Sequence, residues 1–397
     1  MNVVTPEEVG LSSTRLEHLS TAAQGYVNQG KLAGLITLLA RHNKVAHFEC
    51  YGMMDIEADQ SMQPDAIFRI YSMTKPIACF ALMMLIEEGL IALNDPVTKF
   101  IPEFETQKVF VRTTGTGIEL ADVEREMTLW HLLTHTSGLS YDAIVQTPLE
   151  DMYREAGMFD SLHVLQVSLQ DMIKILAELP LGFQPGSEYR YSMAHDVIGY
   201  LIGLVSDLPF DTFLEERIFR PLGMVDTGFY VPGEKLDRFA AMYSPPGDDG
   251  IHLVDAPATS QFSRPERAPS GGVGLVSTIS DYLRFAQMLL NGGELEGIRL
   301  LDNKTVQLMT TNQLPNELVP IFSWPGMGYG LGFGVHVGPD RTRDLGSAGT
   351  FLWLGHAGTN FWVDPKEGLI GLIMPQALDY HEYLGPLREL ANKTVVD

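Results

Sequence analysis

Basic residues are scarce in this 397-residue chain: 27 Lys and Arg stand against 50 Asp and Glu, a formal charge of −23. So negative a surface repels phosphate backbones and anionic headgroups, which excludes nucleic acid and a membrane surface as expected partners. Cysteine is scarcer still, with only Cys50 and Cys79. Their contexts read as a strand and a helix interior, so two buried free thiols are expected rather than a disulfide. No apolar run approaches the ~18 residues needed to span a bilayer. The start, Met1-Asn2-Val3-Val4-Thr5-Pro6, lacks a basic segment and an apolar stretch, so no secretory signal is read and a cytoplasmic chain is expected. The Gly-x-Ser-x-Gly elbow is also missing: neither Gly10-Leu11-Ser12-Ser13-Thr14 nor Gly138-Leu139-Ser140-Tyr141-Asp142 completes it. His131 and His135 have the spacing of two metal ligands on a helix. They lack the Glu of His-Glu-x-x-His and any Cys/His cluster beside them, so no metal and no cofactor are expected.

What is present begins with Ser72-Met73-Thr74-Lys75, the only Ser-x-x-Lys in the chain. It follows the β-prone stretch Ile67-Phe68-Arg69-Ile70-Tyr71 and opens the apolar run from Pro76 to Ile86, which has helical composition. A serine in the first turn of a helix lies among unpaired N–H donors, at the positive end of the helix dipole. A lysine three positions on shares its face one turn away, and a desolvated lysine can take the serine proton.

The rest of the chain reads as helices between two sets of strands. Residues 12–28 carry Leu16, Leu19, Ala22, Ala23 and Val27 at helical spacing, with Gly30 as a stop. A hairpin pattern follows, Leu35 to Ala40 and Val45 to Tyr51 around His42-Asn43-Lys44. From residue 72 to about 230 the signals are mainly helical, as at 129–134 and 193–205, apart from a β-prone insertion at 109–119. Residues 232–274, with Pro245-Pro246-Gly247-Asp248-Asp249-Gly250, read as long loops. A helix begins at Ser280-Asp281. Strands are expected at 330–337, 351–354, 359–363 and 369–374, and a last helix at 383–392. The predicted class is α+β, an α/β sandwich: one antiparallel sheet built from both chain ends, flanking helices, and an inserted helical part. The expected division is 1–68 with 270–397 as the sheet domain, 69–269 as the helical domain, and the site between them.

Three further segments complete a pattern. They are Thr128-Leu129-Trp130-His131-Leu132-Leu133-Thr134-His135-Thr136-Ser137-Gly138-Leu139, Pro185-Gly186-Ser187-Glu188-Tyr189-Arg190-Tyr191-Ser192, and Trp353-Leu354-Gly355-His356-Ala357-Gly358-Thr359. With Ser72 to Lys75 they follow the order and spacing of the serine β-lactamase and penicillin-binding-protein superfamily. Adding Ser270-Gly271-Gly272-Val273-Gly274 and Phe361-Trp362-Val363-Asp364-Pro365, the chain most resembles the class C β-lactamase-like carboxylesterases, the family VIII esterases, over nearly its whole length.

The resemblance implies Ser72 as the residue acylated, Lys75 as its proton acceptor and Tyr191 as partner base and acid. Lysine and tyrosine both have ordinary pKa values near 10, so each can hold the other's proton. It also implies the backbone N–H groups of Ser72 and His356 as oxyanion donors, and Tyr141, Trp353 and Gly355 as pocket residues. Tyr141 is the second tyrosine for the base role. The Lys-Thr-Gly of the β-lactamases is missing, since both Lys-Thr pairs, at Lys304 and Lys393, are followed by valine. Trp353-Leu354-Gly355 resembles the Trp-x-Gly of the esterases, with His356-Ala357-Gly358 as the alternative register. Either way the carboxylate-binding cation is gone, which favours neutral esters over anionic substrates.

The expected activity is hydrolysis of short carboxylic esters, with a small-molecule ester as the partner. The rivals are a β-lactamase, a D-amino acid peptidase or an acyltransferase using the same groups, and a non-catalytic binding homologue. Acyl specificity is expected to depend on the loops at 145–160 and 232–267.

Overall fold

The run from Leu35 to Ala40 lacks the apolar–polar alternation of a half-solvated strand, the signature of a strand covered on both faces. In this computed structural model, which describes residues 2–115, 117–141, 147–338 and 344–396, β1 (Gly34–Arg41) is buried at every position. It turns through His42 and Asn43, both at positive φ, into β2 (Lys44–Asp55), which β3 (Gln60–Ser61) follows. The other strands come from the far end of the chain: β4 (Met327–Tyr329), β5 (Gly334–His336), β6 (Phe351–Leu354), β7 (Asn360–Asp364) and β8 (Leu369–Pro375). They form one eight-stranded sheet in the order β4-β5-β6-β7-β8-β1-β2-β3, antiparallel throughout. The two chain ends meet at its centre, where Leu35 lies opposite Pro375 and Arg41 opposite Leu369.

Helices cover the sheet. α1 (Ser13–Asn28) starts at Ser12, whose side chain accepts from the Arg15 N–H, and it packs on β2. α2 (Thr74–Glu87) is buried from Thr74 to Leu85, the mark of a helix that is apolar all round and lies in the core. Alongside it runs α3 (Ala194–Ser206). α4 (Ile279–Leu290), capped by Thr278 onto the Asp281 N–H, packs on β8, and α5 (Leu384–Asn392) lies beside α1. One apolar core runs through sheet and helices alike, including Leu38, Phe80, Ile198, Phe285 and Trp362. Among the described residues no single helix is long and apolar enough to cross a membrane.

Most elements fall where the hydrophobic pattern puts them, including the hairpin of Lys108–Thr114 with Gly117–Asp122. Four differ. The strand expected at 330–337 is a hairpin, β4 and β5, because Gly332 at φ 93° reverses the chain and the Gly330 N–H donates to Phe333 O at 2.8 Å. The expected loop at 232–274 contains the 3₁₀ turn Gly233–Arg238 and a small hairpin of Met242–Tyr243 with Leu253–Asp255. Arg69 holds this segment from within, donating to Asp255 Oδ2 at 2.8 Å and Ala240 O at 2.6 Å. In the expected loop at 145–160, residues 145 and 146 lie outside the described residues, and Pro148–Glu155 is a helix begun by proline. Cys79 is buried but Cys50, opposite Ile36 of β1, is only half-buried, at a position of β2 that is left partly uncovered; both thiols are free.

Candidate active site

The short strand Ile67–Arg69 pairs with Val276–Thr278 and feeds the chain into the core. Ser72 follows in a 3₁₀ turn, Tyr71–Met73, immediately before α2 rather than inside its first turn. The turn is strained: Tyr71, fully buried, sits at φ 41°, a region non-glycine residues seldom occupy. Edge-to-face contacts with Phe262 and His356 hold it there, at 5.5 and 5.6 Å between centroids. Lys75, in the first turn of α2, is completely buried. Its Nζ donates to Ser72 Oγ at 3.2 Å and to Gly272 O at 2.8 Å. It also lies 4.5 Å from the Tyr191 ring centre and 5.8 Å from that of Tyr141, within cation–π range.

Tyr191 lies on the extended segment that leads into α3. Its ring stacks on Tyr141 at 6.1 Å, and its hydroxyl accepts from Trp353 Nε1 at 3.4 Å. A cavity of about 190 Å³ opens between these parts, lined by Ser72, Tyr141, Tyr191, Val273 and His356, with His163 and Asp379 completing the wall.

Trp353 and Gly355, expected to face substrate, are not among the residues lining this cavity. Trp353 is buried on β6, packed against Tyr191, Tyr329 and Phe322. It supports Tyr191 from behind. Gly355 acts through closeness: a Cβ there would run into Ile70 O and Thr359 Oγ1. Its missing side chain lets the end of β6 approach the turn that carries Ser72. Of the two registers considered for this segment, the side chain that lines the cavity is the imidazole of His356. Neither the Ser72 nor the His356 backbone N–H donates to a protein acceptor among the described residues.

His163 and Asp379 had no signal in the sequence pattern. His356 Nδ1 pairs with Asp379 Oδ1 at 3.1 Å, and the hydrogen bond from His356 holds the Asp379 carboxyl below the usual carboxylate range. The His163 ring meets His356 edge-on at 4.8 Å. Asp379 reaches the site because the chain after β8 folds back, its N–H donating to His356 O at 3.0 Å. Long-range returns of this kind leave no periodicity to read.

The histidines at 131 and 135 have other partners. His131 Nδ1 accepts from the Thr128 N–H at 3.0 Å, and burial pushes its imidazole down to about 4. His135 Nδ1 accepts from the Ser192 N–H at 3.2 Å, fixing the start of the segment behind Tyr191. Burial holds it neutral, with His195 and Lys75 acting in the same direction.

Comparison with known proteins follows the same lines. A family model described as Beta-lactamase matches residues 19–394. Protein Rv1367c of Mycobacterium tuberculosis is 37% identical over 356 residues, 87% of this chain and 86% of that protein. Esterase EstB of Burkholderia gladioli is 30% identical over 378 residues, 91% of this chain and 90% of its own. Among solved structures, EstCE1, described as a hydrolase with promiscuous acyltransferase activity, superposes with a TM-score of 0.80 at 25% identity, covering 96% of this chain and 98% of its own.

Proposed function

The chain belongs to the β-lactamase family and is a serine hydrolase of that fold, and from this premise we propose that it is a carboxylesterase acting on short-chain esters through an acyl-enzyme at Ser72. The observation that carries the reading is the Lys75 Nζ held 3.2 Å from Ser72 Oγ, at a cavity shared with Tyr191. Ser72 Oγ attacks the ester carbonyl carbon while its proton passes to the Lys75–Tyr191 pair. The backbone N–H groups of Ser72 and His356 receive the oxyanion, each such donor being worth roughly 10²–10³ in rate. Collapse expels the alcohol, which takes the proton back from the pair and leaves the acyl group on Ser72. Water then attacks the acyl carbon by the same route, and the carboxylic acid leaves. The small cavity suits a short acyl chain. Two free thiols fit a reducing compartment, and we read the chain as cytoplasmic.

Intact-mass spectrometry after exposure to p-nitrophenyl butyrate tests this. A single butyryl adduct in the wild type, absent from Ser72→Ala, is expected. Turnover that survives in Ser72→Ala overturns the nucleophile, and no adduct with no turnover supports a binding protein instead.

Acyl transfer is the second reading, favoured by the activity attributed to EstCE1. It differs only in whether an alcohol or water resolves the acyl-enzyme. Product analysis with added alcohol acceptors separates the two. β-Lactam or D-amino acid peptide substrates fit less well, since no lysine stands where those enzymes bind a carboxylate, and a chromogenic cephalosporin assays that directly.

A further inference from the structure

Asp196 is a carboxylate sealed from water in the first turn of α3, on the segment that carries Tyr191. Its Oδ1 accepts from Ser270 Oγ and, at 3.1 Å, from the Gly272 N–H; its Oδ2 has no hydrogen-bond partner among the described residues. Gly272 turns its other polar group the opposite way: its C=O is the acceptor, at 2.8 Å, for Lys75 Nζ. A single residue without a side chain thus stands between the carboxylate and the lysine. There is no room for one. A Cβ at Gly272 would lie 2.6 Å from Asp196 Oδ2, and at Gly271 it would strike His195 O. Neither glycine has a positive φ, so close approach alone explains them.

The groups facing Lys75 come from several elements. Ser72 and Cys79 lie on its own turn and helix. His135 and Tyr141 come from the stretch at 135–141, Tyr191 from the extended lead into α3, and His195 and Asp196 from its first turn. His135 and His195 are kept neutral by burial, and burial raises the Cys79 thiol. The one carboxylate in this set is Asp196. Burial pushes its carboxyl up, while the nearby Lys75 charge and the donors Ser270 and Gly272 pull it back. A buried cation left without a counter-charge is costly, and one held by an anion through a rigid backbone is positioned as well as neutralised.

We propose that Asp196 is a positioning residue of the esterase site: gripping Gly272, it fixes Lys75 Nζ beside Ser72 Oγ, and its charge sets the proton balance of the Lys75–Tyr191 pair. This rests on the reading of Ser72, Lys75 and Tyr191 given above.

The test is the pH profile of kcat/KM for p-nitrophenyl butyrate in wild type, Asp196→Asn and Asp196→Glu. Asparagine keeps the size and an acceptor oxygen for Ser270 and Gly272 and removes the charge, with an amide NH2 in place of the second oxygen. Without the anion, the positively charged form of the pair is disfavoured, so the acid limb of the profile moves to lower pH by roughly half a unit or more. Loss of positioning lowers kcat by about 10–100-fold while KM changes by less than about threefold. Asp196→Glu, which restores the charge, returns the limb toward its wild-type position. A wild-type rate and profile in Asp196→Asn overturns the proposal. So does a rate loss with an unmoved limb in a folded variant, which would assign Asp196 to packing alone. Should Asp196→Asn not fold, Asp196→Ser, smaller and still offering an oxygen, is measured in the same way with the same displacement expected. Failure of the underlying reading is seen separately, as turnover persisting in Ser72→Ala.

Discussion

Two hollows in the surface differ in a way that size does not anticipate. The larger, about 800 Å³, lies between α3 and the 165–169 segment, walled by Leu165, Val167, Tyr200, Leu204 and Phe210. The smaller, about 190 Å³, brings together the Ser72 hydroxyl, the Tyr191 phenol and the His356–Asp379 pair. The large cleft mixes apolar lining with charges such as Asp207, Arg264 and Glu266, and no lysine stands beside a serine in its lining in the manner of Lys75 and Ser72. The small cavity is where seven separated stretches of chain converge, at Ser72, Tyr141, His163, Tyr191, Val273, His356 and Asp379. Volume measures where packing leaves a gap, whereas chemistry needs polar groups aimed at one point.

Breaking the small site is expected to produce the largest effects. Ser72→Ala lowers kcat/KM for p-nitrophenyl butyrate by about 10³-fold or more, since the attacking atom is gone. Tyr191→Phe keeps the ring over Lys75 and removes only the hydroxyl, and a loss of roughly 10²–10⁴ in kcat is expected. If that variant stays near wild type while Tyr141→Phe is impaired, the base role passes to Tyr141. Gly355→Ala tests the backbone approach rather than the chemistry. With no space for a methyl beside Ile70 O, urea unfolding should show a loss of about 1–3 kcal/mol, accompanied by reduced turnover.

A smaller effect concerns the buried histidines near the site. His131 is pushed down to about 4, and burial drives His135 and His195 in the same direction. Because folding depresses these groups, the unfolded chain binds protons first. Stability is then full above the ordinary imidazole pKa near 6.5 and drains as the pH falls from there toward 4. Tm by scanning fluorimetry should decline across that window, and less steeply in His131→Asn, which keeps an acceptor for the Thr128 N–H. A flat Tm from pH 7 to 4.5 contradicts this. The smallest change is expected in the large cleft: Tyr200→Ala should leave kcat/KM within about twofold, as substitutions outside the reacting constellation do. A large loss there would join the two hollows functionally and dissolve the contrast between them.

Ser72 and Lys75 were legible because their relation is local, one turn of backbone. The central strands were legible because continuous burial leaves a nearly unbroken apolar run, as at Leu35 to Ala40, interrupted only by Thr37. The hairpin at 330–337 was read as one strand because period-two patterning does not register a reversal at a single glycine. His163 and Asp379 were invisible, since neither repeats with anything near it. Trp353 and Gly355 stand behind the cavity wall rather than on it: a strand's alternation separates two faces without saying which of them meets the cavity.

What the amino-acid order determined alone is therefore the local and the serial: where most helices and strands run, the turn that sets a hydroxyl beside an amine, the order of the segments, and an acidic surface unsuited to polyanions. Tertiary structure decided which groups share one cavity. That choice depends on approaches between distant segments, such as Gly355 against Ile70 and Gly272 between Asp196 and Lys75. Those approaches are set by close packing of the whole core, where a single methyl group is enough to change them.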